Sequence, residues 1–272
     1  VLASFLIALR ETLEIALIVG IVVALAHARL KTVWSAVIAA IIASGIFAFL
    51  FVRLAGGFEG RPEMLFEGVT MLIAAVLLAS MVIWMLRHNA RARITHAVKR
   101  DLDRDHSFGL FAFVFLAVLR EGVEMVLFLA AAFTDGPGFV IGTVLGILLA
   151  LAIGVGIYFA SIRFDMKRFF AITSVLLLLF AAGLVSKSVG EFEEAGVIGP
   201  FVDDVWDANP ALNPDGSYPF LHEEGWLGHL LHDLFGYDAS PSLTQLLAYI
   251  VFLALVGLAW MHGQRLDRRV SV

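Results

Sequence analysis

The sequence predicts an all-α integral membrane protein of seven transmembrane helices, arranged as an inverted 3+3 repeat plus one C-terminal helix. Three observations carry that prediction. Of the 272 residues, 60% are hydrophobic and 16% charged, with a mean hydropathy of +0.91, whereas soluble chains hold roughly 45–50% apolar and 25% charged residues. Apolar stretches of about twenty residues recur, each long enough to cross a bilayer as a helix. A helix also satisfies its own backbone hydrogen bonds in lipid. Finally, one charged pattern, R-E-x-x-E, occurs twice within such stretches, at Arg10–Glu14 and at Arg120–Glu124.

The spans are expected over residues 2–26, 33–55, 64–87, 108–133, 139–161, 169–190 and 243–263. The first is a retained helix rather than a signal peptide, because Arg10, Glu11 and Glu14 interrupt the apolar core that a signal peptide requires. The second carries small residues at every fourth position, Ala36, Ala40, Ser44 and Ala48, and the fifth does so at Gly138, Gly142, Gly146, Ala150 and Gly154. Such a stripe lets a neighbouring backbone approach closely. Glu63 and Glu67 lie at the outer end of the third span, and the fourth repeats the charged motif of the first. Three helices separate the two copies, so the second enters the membrane from the opposite side. The chain then divides into repeat one (1–87), a cytoplasmic loop (88–107), repeat two (108–190), an acidic extracytoplasmic loop (191–242) and the seventh helix (243–263).

Basic residues orient this arrangement. Arg29, Lys31, Arg87, Arg91, Arg93, Lys99, Arg100, Arg104, Arg163, Lys167 and Arg168 follow spans one, three and five, and Arg265, Arg268 and Arg269 follow span seven. The other side has only Arg53, Arg61 and Lys187. The N-terminus is therefore expected outside and the C-terminus in the cytoplasm. Cysteine is absent, which excludes disulfides, thiolate metal sites and cysteine nucleophiles. The sequence has no Walker motif for ATP coupling and no nucleic-acid motif.

The charged motifs are the candidate functional site. Three ionisable groups near the middle of an apolar span cost at least ~2.5–3.5 kcal/mol apiece, and this chain accepts that cost twice. Glu11 and Glu14 are three residues apart and share a helix face, as do Glu121 and Glu124. A two-fold relation between the repeats brings the four carboxylates to similar depth, with the substrate site of an inverted-repeat transporter expected near the midplane. Arg10 and Arg120 sit four residues before Glu14 and Glu124 and balance part of the charge. Four carboxylates and two guanidiniums leave a formal −2 that requires a cation or protons. Oxygen donors without sulfur or imidazole suit a hard ion such as Fe(III), Mn(II), Mg(II) or Ca(II).

Three other readings compete. A purely structural pair of buried salt bridges leaves one glutamate per motif without its own arginine, and such pairs are often no more stabilising than apolar replacements. A membrane carboxylate metalloenzyme, an iron oxidase, would use the paired E-x-x-E sites to hold two irons, but soluble di-iron bundles use E-x-x-H. A carrier of organic cations would place aromatic residues beside the glutamates, where this chain has Thr12, Leu13, Gly122 and Val123.

Paired R-E-x-x-E motifs in the first and fourth of seven helices resemble the oxidase-dependent iron permeases, which include the fungal high-affinity iron permeases and the bacterial EfeU-type transporters. The resemblance spans essentially the whole chain. It extends to Glu67-Gly68, to Ala181-Ala182-Gly183-Leu184, and to the stretch from Gly228 to Tyr237. It implies import of Fe(III) across the bacterial cytoplasmic membrane, with Glu11, Glu14, Glu121 and Glu124 as translocation ligands. It also implies a separate extracytoplasmic oxidase or iron-delivery protein as partner, and no resident cofactor. Lead and manganese are the alternative cargoes.

The loop on the outer side holds 11 acidic residues over 188–242 and no lysine or arginine, among them Glu191, Glu193, Glu194, Asp203, Asp204, Asp207, Glu223 and Glu224. One sign of charge at a pore mouth raises the local cation concentration, so Glu67, Glu191 and Glu194 are candidate access-path residues, with Glu63 beside them. His222, His229, His232 and Asp233 fall in or near a short amphipathic helix expected over Leu227–Phe235. Packing or capping accounts for them better than metal binding, since no H-E-x-x-H pattern is present. The 88–107 loop mixes both signs of charge and is expected to form a helical hairpin whose basic residues face lipid headgroups.

Overall fold

The computed structural model describes residues 1–87, 107–133, 137–160, 166–199, 202, 205–207, 209, 212–213, 218–219, 222 and 225–270. Among them are eight α-helices and no strand: α1 (Leu2–Leu25), α2 (Leu30–Ala55), α3 (Arg61–Arg87), α4 (Ser107–Ala131), α5 (Pro137–Ala160), α6 (Met166–Glu194), α7 (Trp226–Phe235) and α8 (Leu243–Val270). A single 3₁₀ turn, His27–Arg29, joins α1 to α2. The residues expected in the 88–107 hairpin lie outside the described residues, except Ser107. So do Asp203, Asp204, Glu223, Glu224 and Arg163.

Five helices, α2, α3, α5, α6 and α8, are long and apolar enough to cross a membrane. The helices α1 and α4 are of similar length, 24 and 25 residues, but each holds an arginine and two glutamates, so composition alone does not mark them as spans. Some helices overrun the hydrophobic stretches that announce them, while α1, α4 and α5 end one or two residues short of theirs. Whereas hydropathy places span six at 169–190, α6 continues to Glu194, and the loop expected over 191–242 begins inside its last turn. The reason is physical: hydropathy ends where the apolar phase ends, but backbone hydrogen bonding continues into the polar phase.

The chain forms two compact units. One contains α1, α2, α4 and α5. Its core between α1, α2 and α4 is built from Val22, Ala26, Val33, Ala36, Val37, Ala40, Leu110, Val114 and Val118. The small-residue face of α2 is buried here, and the opposite face exposes Trp34, Ile38, Ile41, Ile42 and Phe49. An apolar exposed face of this kind suits lipid. The glycine stripe of α5 packs on α1. A Cβ at Gly146 would lie 2.5 Å from the Phe5 carbonyl oxygen and 2.9 Å from the Leu9 nitrogen, so only glycine allows this approach. Ser4 Oγ, which is 3.0 Å from the Val1 carbonyl oxygen, also donates to the Phe139 carbonyl oxygen at 3.1 Å and ties α1 to α5.

The second unit contains α3, α6, α7 and α8. Ser188 Oγ donates to the Gly68 carbonyl oxygen at 2.8 Å, binding α6 to α3. Ser186 Oγ donates to the Gln245 carbonyl oxygen at 3.3 Å, binding α6 to α8. The short helix α7 forms as the amphipathic pattern predicts and stops at Gly236, whose φ of 64° is the left-handed conformation common at helix C-termini. Gly236 lies directly against Gly183 of α6, where neither position has room for a Cβ. Two of the stretches that carry the family resemblance therefore meet, and they meet as backbone packing.

Candidate metal site

Both R-E-x-x-E motifs lie in the first unit, on α1 and α4. Each motif sits in the middle of a helix of leucine, valine, isoleucine, phenylalanine and alanine, so its charged side chains project from an otherwise apolar rod. Arg10 and Glu11 are fully buried, and Glu121 and Glu124 nearly so, at 4% and 7% exposure. One carboxylate oxygen from each of Glu11, Glu121 and Glu124 falls within 4.8 Å of the others. Neither oxygen of Glu11 has a hydrogen-bond partner among the described residues, nor does Oε2 of Glu121 or of Glu124. Buried polar groups are almost always hydrogen-bonded, and the unpartnered oxygens of these three converging carboxylates leave room in their chemistry for a cation.

The arginines divide the remaining charge unequally. Arg10 Nε lies 3.2 Å from Glu14 Oε1, and Arg10 Nη1 lies 4.0 Å from Glu11 Oε1. Its guanidinium thus reaches both glutamates of its own motif. Arg120 Nε donates to Glu124 Oε1 at 2.7 Å, while its side chain is half exposed. The i to i+4 pairing expected from the spacing is present in both motifs. The four carboxylates do not converge equally: Glu14 is drawn to Arg10, and the close group consists of Glu11, Glu121 and Glu124.

Small residues permit this convergence. Gly122, inside the second motif, is covered by Ser44 of α2, and a Cβ there would collide with the serine side chain. The involvement of Ser44 was visible in the sequence only as one member of a small-residue stripe. Its meeting with Gly122 required the three-dimensional pairing of α2 with α4.

The other candidate residues belong to the second unit. Glu67 precedes Gly68, where a Cβ would lie 3.2 Å from the Cβ of Glu191 and closer still to the Phe192 ring. The charged neighbours of Glu191 are Glu67, Glu194 and Glu63, so these four glutamates gather into one acidic group. His232 Nδ1 is hydrogen-bonded to the Tyr237 carbonyl oxygen at 2.8 Å, just past the end of α7. The His222 ring packs on Tyr218 with centroids 4.7 Å apart. Both contacts are local packing. The side chains of His229 and Asp233 lie outside the described residues.

No solved structure matches this chain. It is similar to the protein named ferrous iron permease EfeU from Yersinia pestis, with 32% identity over 261 residues that cover 92% of this chain and 89% of that protein. The proteins of that name from Escherichia coli O157:H7 and Shigella sonnei are 34% identical over 269 residues, 94% of each chain. The sequence profile described as the iron permease FTR1 family matches residues 1–266. The chain is an integral protein of the bacterial inner membrane and belongs to the iron permease FTR1 family.

Proposed function

We propose that the protein imports iron across the cytoplasmic membrane, passing it as Fe(III) through a site made by Glu11, Glu121 and Glu124, with Glu14 held beside them by Arg10. The observation that carries this reading is the group of three buried carboxylates that converge while both oxygens of Glu11 and one each of Glu121 and Glu124 lack a hydrogen-bond partner among the described residues. An all-oxygen donor set favours the harder of the two iron ions. Fe(II) is the second reading. The relatives are named ferrous permeases, and the formal −2 of four glutamates and two arginines is neutralised by a dication. An extracytoplasmic partner that oxidises Fe(II) and hands over Fe(III) accommodates both. The deciding experiment supplies radiolabelled Fe(III), and separately Fe(II) with oxidation blocked, to cells lacking other iron importers. Uptake of Fe(III) with none of protected Fe(II) supports the first reading, and efficient uptake of protected Fe(II) overturns it.

The proposed topology has seven spans, the N-terminus outside and the C-terminus in the cytoplasm, with α1–α3 and α4–α6 as inverted repeats and α8 as the seventh span. The helix pairing supports it, because α2 packs its small-residue stripe on α4 while α5 packs its own on α1. Exchanging the halves maps one contact onto the other. Glu67, Glu191 and Glu194, with Glu63, gather cations at the outer face.

Arg10 orients the glutamates of its motif through two separate nitrogens, which a lysine ammonium cannot reproduce. Arg10→Lys should lower iron uptake about ten-fold at unchanged membrane abundance, on the scale of lost metal-site support. Wild-type uptake in that variant reduces Arg10 to a counter-ion.

A further inference from the structure

A cavity of about 350 Å³ lies in the second unit, where the end of α7 meets α6 and α8. Its size falls within the ~300–1,000 Å³ of small-molecule sites. Four of the ten described residues that line it are aromatic, Trp206, Phe235, Tyr237 and Tyr249, although aromatic residues make up 12% of the chain. Asp238 is the one charged residue among the described lining, and the surrounding stretch 188–242 has no lysine or arginine.

Backbone bonds hold this lining in place. Gly236 borders the cavity and lies against Gly183, which seats the end of α7 on α6. Tyr237 is held on both sides of its backbone. Its N–H donates to the Leu231 carbonyl oxygen at 3.3 Å, and its own carbonyl oxygen lies 2.8 Å from His232 Nδ1. Val205 N–H donates to the Pro241 carbonyl oxygen at 3.1 Å and Leu243 N–H to the Val202 carbonyl oxygen at 3.2 Å. That pairing carries Trp206 to the cavity. Asp238 Oδ1 accepts from the Ser240 N–H at 2.9 Å, which orients the carboxylate and leaves Oδ2 without a hydrogen bond among the described residues.

Tryptophan and tyrosine gather at membrane–water boundaries, which explains their depth but not why four aromatic residues share a cavity with one carboxylate. A hard metal ion, which takes about six oxygen ligands or more, finds too few here. Aromatic rings together with a carboxylate are the chemistry that selects an organic ammonium group. The helix α8 connects the cavity to lipid. Leu246 and Tyr249 line the cavity from its first two turns, and beyond them Ile250, Val251, Leu255 and Leu258 are exposed.

We propose that this cavity binds an alkylammonium group, carried by the headgroup of a membrane aminolipid or by a free amine. Tryptophan fluorescence of the purified protein in neutral detergent tests it, titrated with short-chain phosphatidylethanolamine, matched phosphatidylglycerol and free ethanolamine. The expected result is a saturable change with the ethanolamine lipid, none with the glycerol lipid, and loss of the change in Trp206→Phe. Asp238→Asn keeps Oδ1 for the Ser240 N–H but removes the charge, and should weaken binding about ten-fold. Saturation by the lipid alone assigns the cavity to a headgroup, and saturation by free ethanolamine assigns it to a soluble amine. Equal responses to the two lipids, no response to either ethanolamine compound, a response undiminished in Trp206→Phe, or unchanged binding in Asp238→Asn overturns the proposal.

Discussion

Glu11→Gln and Glu121→Gln should each reduce iron uptake by about two orders of magnitude or more, with the protein still folded in the membrane. Outer-shell changes at metal sites already cost about 10–100-fold, and these substitutions remove anionic donors themselves. The two positions are chosen for what they leave behind. Glutamine is nearly isosteric, and neither Glu11 oxygen nor Glu121 Oε2 has a hydrogen-bond partner to strand. Removing one partner of a tight buried pair is a different operation, costing about 3–5 kcal/mol by leaving an uncompensated charge. Glu14→Gln takes that risk, because Glu14 lies 3.2 Å from the fully buried Arg10, whereas the Arg120 that Glu124 holds at 2.7 Å is half exposed. The check is radiolabelled iron uptake normalised to the protein present in isolated membranes. Wild-type rates in both variants would show that iron does not cross between α1 and α4.

The second large effect concerns the packing that places α1. Gly146→Leu should lower the melting temperature of detergent-purified protein by roughly 10 °C or prevent its accumulation. Overpacking a well-filled interior costs about 1–3 kcal/mol, and more where relief is impossible. One kcal/mol shifts the midpoint of a domain of this size by about 2–4 °C. Relief is poor here because the atoms that a side chain at Gly146 would meet, the Phe5 oxygen and the Leu9 nitrogen, are backbone. Gly45→Leu is the control, since a Cβ at Gly45 meets nothing within 4 Å. Equal melting temperatures for the two variants would contradict the close α1–α5 contact.

Much of this architecture is legible in one dimension because the bilayer imposes length and hydropathy on every helix. The helices lie where the apolar runs are, and α7 forms where leucines recur at helical spacing before Gly236. The helix ends were less legible, as Glu191–Glu194 show, because no hydropathy signal marks where a helix stops once it has left lipid. In the site, the charge cost identified all six motif residues and the four-residue spacing identified both Arg–Glu pairs. Their unequal roles were hidden. The sequences Arg10–Glu14 and Arg120–Glu124 are almost superimposable, yet one arginine is fully buried and the other half exposed. Burial is set by neighbouring helices and not by the motif. The same holds for Ser44, whose partner glycine lies on a helix that begins more than fifty residues later in the chain.

The most direct test is iron K-edge X-ray absorption on the purified protein loaded with iron, with Glu121→Gln loaded in parallel. The expected result is a first shell of light oxygen donors without the multiple-scattering pattern of imidazole, and iron retention that collapses in the variant. Imidazole ligation, or a spectrum and occupancy unchanged in Glu121→Gln, would place the iron away from the glutamates of α1 and α4.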